Sequence, residues 1–277
     1  MSRVLVLGAT GRLGAMLQRH WSQGQLQPIW HGRNLQGTNC TFDLLDQHSW
    51  PKVLQADIIL CFAGIVPGKG DLNLNVTLGE AAVQLGAKLG ARRVFLSSSA
   101  AIYGGGSGAL HEADPLAPAL PYGQTKLQME RAAAALGADL GVAVTSLRIG
   151  NVAGADALLA QPGRQRRLDQ FSDGQGPRRS YIGPSALAGM LGSLCMAEAD
   201  STALPDCLNI ALDGAVAMAD LCHAAGLEVI WRPAPPEALP EVTLDVTRLG
   251  AIIPVPKACP AQIIADWRAD ASNKEGA

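Results

Sequence analysis

The chain has 277 residues, enough to bury a sizeable core as one large α/β domain or one with a small appendage. Its 22 basic and 24 acidic residues leave a net charge of −2, so nothing in the balance advertises a nucleic-acid or anionic-membrane partner. The six cysteines are scattered with no Cys-x-x-Cys, no His pair has metal-ligand spacing, and no apolar run approaches the ~18 residues of a membrane span; a reduced, cytoplasmic protein without a structural metal is expected.

The N-terminus runs straight into Arg3-Val-Leu-Val-Leu7, which predicts a strand buried on both faces and no signal peptide. The run flows into Gly8-Ala-Thr10-Gly11-Arg12-Leu13-Gly14 and then a helical pattern through Met16, Leu17 and His20. Strand, glycine turn, helix is the context of a dinucleotide site: glycines let the backbone approach a pyrophosphate, and the helix N-terminus meets its charge. A second strand is expected from Gln27 to His31, followed by Gly32-Arg33-Asn34. No acidic residue stands there to hold the ribose hydroxyls of NAD. Arg33, with Arg12, suits the 2′-phosphate of NADP instead, and a solvated loop arginine is the alternative. Thr41 to Asp46 reads as a strand end whose Asp43 can accept a bond from an adenine amino group, with Leu44 beside it; Asp46 has helix capping as a rival role.

Asp57-Ile-Ile-Leu-Cys-Phe62 is a buried strand ending at Ala63-Gly64, small residues that let a cofactor pass. The short loop from Ile65 to Leu74 carries Lys69, and Asn75 to Gly90 is helical. Arg93-Val-Phe-Leu-Ser97 is the next strand and delivers Ser98 and Ser99; after a Gly-rich, acidic loop comes Pro121-Tyr122-Gly-Gln-Thr-Lys126 at a helix start. Residues i and i+4 share a helical face, so Tyr122 and Lys126 can point into one cavity. A free tyrosine titrates near ~10, and a neighbouring ammonium favours its phenolate. The pair suits moving a proton on and off a hydroxyl or carbonyl oxygen that a serine hydroxyl holds in place. Ala132 to Leu136 continues this helix, and Val142 to Arg148 makes another strand. Alternating strands and helices with short connections through about residue 150 predict an α/β fold with a doubly wound parallel sheet.

Beyond Asn151 the character changes. Residues 155–176 read as a loop-rich, arginine-bearing insertion, followed by Arg179-Ser-Tyr-Ile182, a helix from Ser185 to Ala199, a strand from Cys207 to Leu212 and a helix from Met218 to Ala225. Four prolines between Pro233 and Pro240 predict an irregular stretch, and 271–277 read as frayed.

In this order the residues resemble the extended branch of the short-chain dehydrogenase/reductase superfamily, the NAD(P)-dependent epimerase/dehydratase family of nucleotide sugars. The glycine turn, Asp43, Ala63-Gly64, Asn75, Ser97 to Gly104, Glu112 to Pro115, Pro121 to Lys126 and Leu147-Arg148…Asn151-Val-Ala-Gly154 each resemble a family segment, as do Thr243 to Leu249 and Ile263 to Trp267 near the C-terminus. The resemblance implies a Rossmann core over 1–154, with 155–277 completing the sheet and forming a small substrate-binding lobe. It implies Ser99 as the catalytic serine, with Ser98 competing, Tyr122 as the acid/base, and Lys126 both lowering the tyrosine pKa and binding the nicotinamide ribose. Tyr103 is expected to pack at the loop base. Gly8, Thr10, Gly11, Arg12, Leu13, Gly14, Arg33, Asp43, Leu44, Ala63, Gly64 and Ser97 are the further expected cofactor contacts, with NADP preferred and NAD possible. Ser98, Ser99, Asn151 and Arg179 are expected to meet a small-molecule substrate, and a homodimer through the helices starting near Thr77 and Tyr122 is implied. Three departures qualify the substrate: the loop between Gly64 and Asn75 and the region after Asn151 are short for a nucleotide-sugar enzyme, and near Ile182-Gly-Pro-Ser185 the family's Asp is absent.

Overall fold

In the chain's computed structural model, residues 1–21, 26–34, 37–106 and 108–275 are described. The Gly8-rich turn separates β1 (Ser2–Leu7) from α1 (Arg12–His20), and β2 (Leu26–Gly32) and β3 (Cys40–Thr41) follow. Then come β4 (Ile58–Cys61), α2 (Leu74–Leu89), β5 (Arg93–Ser99), a 3-10 turn (Ala100–Tyr103), β6 (Gly108–Leu110), α3 (Pro121–Leu140) and β7 (Ala143–Ile149). Seven parallel strands form the main sheet in the order β12-β7-β5-β4-β1-β2-β3, with β12 spanning Cys207–Ile210. The chain runs outward from β1 to β3, returns to β4 and then runs outward the other way. The carboxyl ends of β1 and β4 therefore part around a crevice, the place where open α/β sheets take ligands.

Strand alternation explains why these apolar runs lack polar faces. Val4, Val6, Ile58 and Leu60 enter one core layer, whereas Leu5, Leu7, Ile59 and Cys61 enter the layer on the opposite face. Close packing of α2 on α3 consumes small residues: a Cβ at Gly79 would stand 2.6 Å from Met129 Cγ.

After β7 the chain adds β8 (Asn151–Val152), β9 (Gln165–Gln170), β10 (Arg178–Arg179), β11 (Tyr181–Ile182) and α4 (Pro184–Ala199). Past β12 come β13 (Val216–Ala217), α5 (Met218–Ala225), β14 (Glu228–Pro233), β15 (Glu241–Leu244), α6 (Thr247–Gly250) and α7 (Pro260–Glu275). A second sheet orders β13-β10-β15-β6, while β8 pairs with β11 and β9 with β14.

Three expectations need correction. The stretch 155–176 is not only loop: β9 runs parallel to β14, from Gln165↔Glu228 to Gln170↔Pro233. The C-terminal residues through Glu275 are helical rather than frayed, held by an Arg19 pair to Asp270 at 2.7 and 2.8 Å; residues 276 and 277 lie outside those described. Asp46 caps no helix, and its Oδ1 accepts from His48 N in a turn. Among the described residues no helix is long and apolar enough to cross a membrane.

Candidate active site

The turn after β1 is shaped by two glycines that tolerate no substitute. Gly8 has φ +75°, and a Cβ there would lie 2.7 Å from Ala63 N; a Cβ at Gly14 would lie 2.5 Å from Gly8 O and Ala9 Cα. Ala63 and Gly14 are thus the packing partners of the turn rather than its open face. That face belongs to Gly11, Arg12 and Leu13, which line a cavity of about 410 Å³. Gly11 supplies no side-chain cap to α1, so the first-turn amides of the helix carry its partial positive charge at the cavity edge.

The opposite wall is the end of β5 and the start of α3. Ser97, Ser98, Ser99, Tyr122, Lys126 and Asn151 line the same cavity. Pro121 at the first position of α3 fixes where the helix begins and hence which face Tyr122 and Lys126 share. Lys126 is 3% exposed; its Nζ donates to Ser97 O at 2.8 Å and lies 6.0 Å from the Tyr122 ring centroid. Gly64 makes room for it, since a Cβ at that position would stand 3.4 Å from Nζ and 2.9 Å from Asn75 Oδ1. Asn75 in turn clamps the following loop, accepting from Ile65 N and donating to Ile65 O, both at 3.0 Å.

Burial decides the electrostatics. It lowers the Lys126 ammonium to about 8, against weaker support from Cys61 and Glu130. It raises the Tyr122 phenol above the ordinary tyrosine value, with a Ser99 hydrogen bond acting the other way. The expected lowering of Tyr122 by Lys126 is therefore corrected: in this chain the phenol is raised. A lysine that loses its proton at about 8 is already neutral when a raised phenol is titrated with base, so the charge it lends to Tyr122 is available only below about 8. Cys61, buried near Lys126, is likewise pushed up to about 11 and stays a thiol.

Ser99 Oγ accepts from Ala101 N at 3.2 Å as cap of the 3-10 turn, which fixes its rotamer at the cavity. Ser98 Oγ is buried with no protein partner. Tyr103 is also buried, and its hydroxyl donates to Asn209 Oδ1 at 2.7 Å, in keeping with a packing role.

Other expected contacts fall outside this cavity. Leu44 is buried in the core, Asp43 Oδ1 accepts from Leu45 N at 2.9 Å, and Arg33 is exposed. Thr10 lines a neighbouring cavity against α7, which Arg12 borders as well as the main one. Arg179 lines a cavity of about 250 Å³ that shares Ser99 and Asn151 with the main one. Its guanidinium donates to Arg178 O at 2.7 Å, Leu239 O at 2.9 Å and Pro240 O at 3.3 Å.

Sequence reasoning gave no role to Val66, Lys69 and Asp156, which also line the cavity. Val66-Pro67-Gly68-Lys69 is a type II turn, with Gly68 at φ +75° and Lys69 N donating to Val66 O at 3.1 Å. The Pro-Gly pair was a legible signal for that turn. Asp156 is raised by burial and opposed by hydrogen bonds from Tyr181 and three backbone amides. No local pattern marks it.

The chain matches the NAD dependent epimerase/dehydratase family over residues 4–171. No curated protein matches it. Among solved structures it is similar to the UDP-Glc/GlcNAc 4-epimerase from Campylobacter jejuni, at 17% identity over 98% of this chain and 100% of that one, with a TM-score of 0.79. The UDP-glucose-4-epimerase from Stenotrophomonas maltophila, solved with NAD and formylated UDP-arabinopyranose, is 19% identical over 100% of both chains, with a TM-score of 0.79. TunA, an NAD dependent NDP-hexosamine 5,6-dehydratase of tunicamycin biosynthesis, is 18% identical over 100% of this chain and 99% of that one, with a TM-score of 0.76. At such identities the likeness is one of fold.

Proposed function

The chain belongs to the NAD dependent epimerase/dehydratase family, and from that premise we propose that its cleft oxidises or reduces a sugar-like alcohol or ketone, foremost that of a nucleotide sugar. The observation that carries the reading is the convergence of Ser99, Tyr122 and Lys126 with the Gly11-Arg12-Leu13 turn on one cavity.

The residues fit a dinucleotide. Uncapped amides at the start of α1 suit a pyrophosphate, and Lys126 suits a ribose hydroxyl. When bound, the nicotinamide supplies or accepts the hydride. The protein's share is the proton. Tyr122, raised by burial, holds its proton at neutral pH and is set to give it to a developing alkoxide; Ser99 holds that oxygen by hydrogen bond. Lys126 is charged below about 8 and stabilises negative charge at the phenol during the transfer.

In this reading NADP is preferred, because Arg33 is exposed beyond β2 and no carboxylate replaces it. Residues 155–277 supply the substrate lobe, and two copies pair through α2 and α3. Tyr122→Phe should abolish turnover on a nucleotide-sugar panel while leaving nicotinamide fluorescence on binding intact; full activity in that variant defeats the assignment. A clear NAD preference in dissociation constants defeats the NADP reading, and a monomer by light scattering defeats the pairing.

One observation favours a second reading, the reduction of a small carbonyl metabolite. Arg179, the expected diphosphate contact, already donates to three backbone carbonyls beside a cavity of only about 250 Å³. Turnover of small ketones with none on nucleotide sugars would select it.

A further inference from the structure

We propose that a buried polar network centred on Arg148 is the positioning device of the site, holding the Ser99 segment and the Tyr122 helix in register. The inference rests on the Ser99/Tyr122/Lys126 reading above. Arg148, Glu130, Tyr103, Glu112 and Asn209 are all buried. Arg148 Nη2 donates to Glu130 Oε2 at 2.9 Å, and its Nε reaches both Glu130 oxygens at 3.3 Å. Its Nη1 donates to Tyr103 Oη at 3.1 Å and to Glu112 O at 3.0 Å. Tyr103 Oη in turn donates to Asn209 Oδ1 at 2.7 Å, and Asn209 N donates to Glu112 Oε1 at 2.9 Å.

What matters is where these residues sit. Tyr103 ends the 3-10 turn that Ser99 caps. Glu130 lies on α3 at the i+4 spacing from Lys126, itself i+4 from Tyr122, so all three share one helical face. Arg148 sits three residues before Asn151 on the strand that pairs with β5, in register with Ser98. Glu112 opens the segment that leads into α3. One guanidinium thus touches the segments that carry Ser99, Tyr122, Lys126 and Asn151.

A buried ion pair is a poor stabiliser, because desolvation of both charges offsets their attraction, and apolar side chains of the same volume often do as well. Its directional bonds do something apolar packing does not: they fix distances. Two hydroxyls on different elements must meet one substrate oxygen, and a misplacement of ~1 Å can lower a rate by ~100-fold. None of the network residues touches the main cavity, so they act through Ser99 and Tyr122 rather than on the substrate.

The test compares Tyr103→Phe, which removes one hydroxyl and keeps the ring on Arg148, with Glu130→Gln/Arg148→Met, which replaces the ion pair at similar volume. Both are measured for thermal midpoint, dinucleotide affinity, kcat and KM, and for the ionisation of Tyr122 by phenolate absorbance against Tyr122→Phe. The expected result is kcat lowered about 10-fold in Tyr103→Phe and about 100-fold in the double variant. KM and dinucleotide affinity should stay within about twofold, and Tyr122 should ionise at higher pH as its Ser99 bond loosens. A folded double variant with unchanged kcat and unchanged Tyr122 ionisation overturns the inference. If the double variant fails to fold, the same two readouts in Tyr103→Phe decide. The phenolate readout needs no substrate. A Tyr122→Phe enzyme that keeps full activity therefore defeats the functional reading alone, and the positioning claim then stands or falls on the ionisation.

Discussion

Replacing Lys126 separates two views of how this lysine serves Tyr122. A permanent charge 6.0 Å from the phenol ring, in a partly buried site with an effective dielectric constant of ~20, is worth about 3 kcal/mol, or about a hundredfold in the phenol's ionisation constant. If Lys126 keeps its proton while Tyr122 ionises, Lys126→Met must weaken that ionisation by this factor. Its ammonium is lowered to about 8, below a phenol that burial raises, so the lysine is neutral first. We therefore predict that Lys126→Met changes the ionisation constant of Tyr122 by less than about threefold, whereas Lys126→Arg, charged at all accessible pH, strengthens it by about a hundredfold. The assay is phenolate absorbance near ~295 nm with Tyr122→Phe as the blank. Only three tyrosines are present; Tyr103 is pushed up to about 12 and Tyr181 is raised still further, so Tyr122 titrates first. A tenfold or larger loss in Lys126→Met would refute the order of ionisation and restore Lys126 as a standing charge beside the phenol.

The same burial makes Lys126 costly to the fold. A lysine lowered from 10.5 to about 8 binds fewer protons folded than unfolded across that window, so stability rises with pH between those values and the penalty is complete below 8. After loss of its bond to Ser97 O is subtracted, Lys126→Met should stabilise the protein by about 2 kcal/mol at pH 7 in chemical denaturation, with an advantage that vanishes above pH 10; a destabilised Met variant contradicts this. Gly14→Ala should cost more than about 2 kcal/mol and weaken dinucleotide binding, because its Cβ meets backbone atoms that cannot yield; a wild-type unfolding midpoint would refute it. Asp266 accepts from Ser185 N at 3.1 Å and Ala186 N at 3.2 Å, so Asp266→Ala should cost about 1 kcal/mol, whereas Asp266→Asn should retain much of it. Equal losses in the two would show that packing, not capping, is at stake.

The sheet was legible because a parallel strand buried on both faces leaves an uninterrupted apolar run, and because the Gly8 turn and the Tyr122/Lys126 spacing are local patterns. Met218–Ala225 was readable as a helix to its ends for the same reason. What escaped was non-local. Strand β9 is mostly polar and owes its conformation to a partner 63 residues away, with Arg232 and Asp169 paired at 2.7 Å across the strands. Asp156 and Arg148 look like ordinary charged residues until the fold buries them. The missing acid near Ser185 looked like a lost feature, whereas its place at the start of α4 is taken by Asp266 from α7, for which Gly183 leaves the space.

That substitution from afar has a consequence for how the two ends of the described fold depend on one another. Helix α7 caps α4 and binds Arg19 and His20 of α1 through Asp270 at 2.7 to 2.9 Å. Its Trp267 also stands where a Cβ on Gly154 would be, 2.6 Å away. The helix that follows the glycine turn thus takes its ionic partner from a residue some 250 positions away in the chain. Contacts of such separation form late and slowly. Without α7 the strands of the sheet and the packing of α1 on α4 remain, but α1 loses its ion pairs to Asp270 and α4 loses its cap, so the setting of the glycine turn's helix depends in part on a segment remote in sequence.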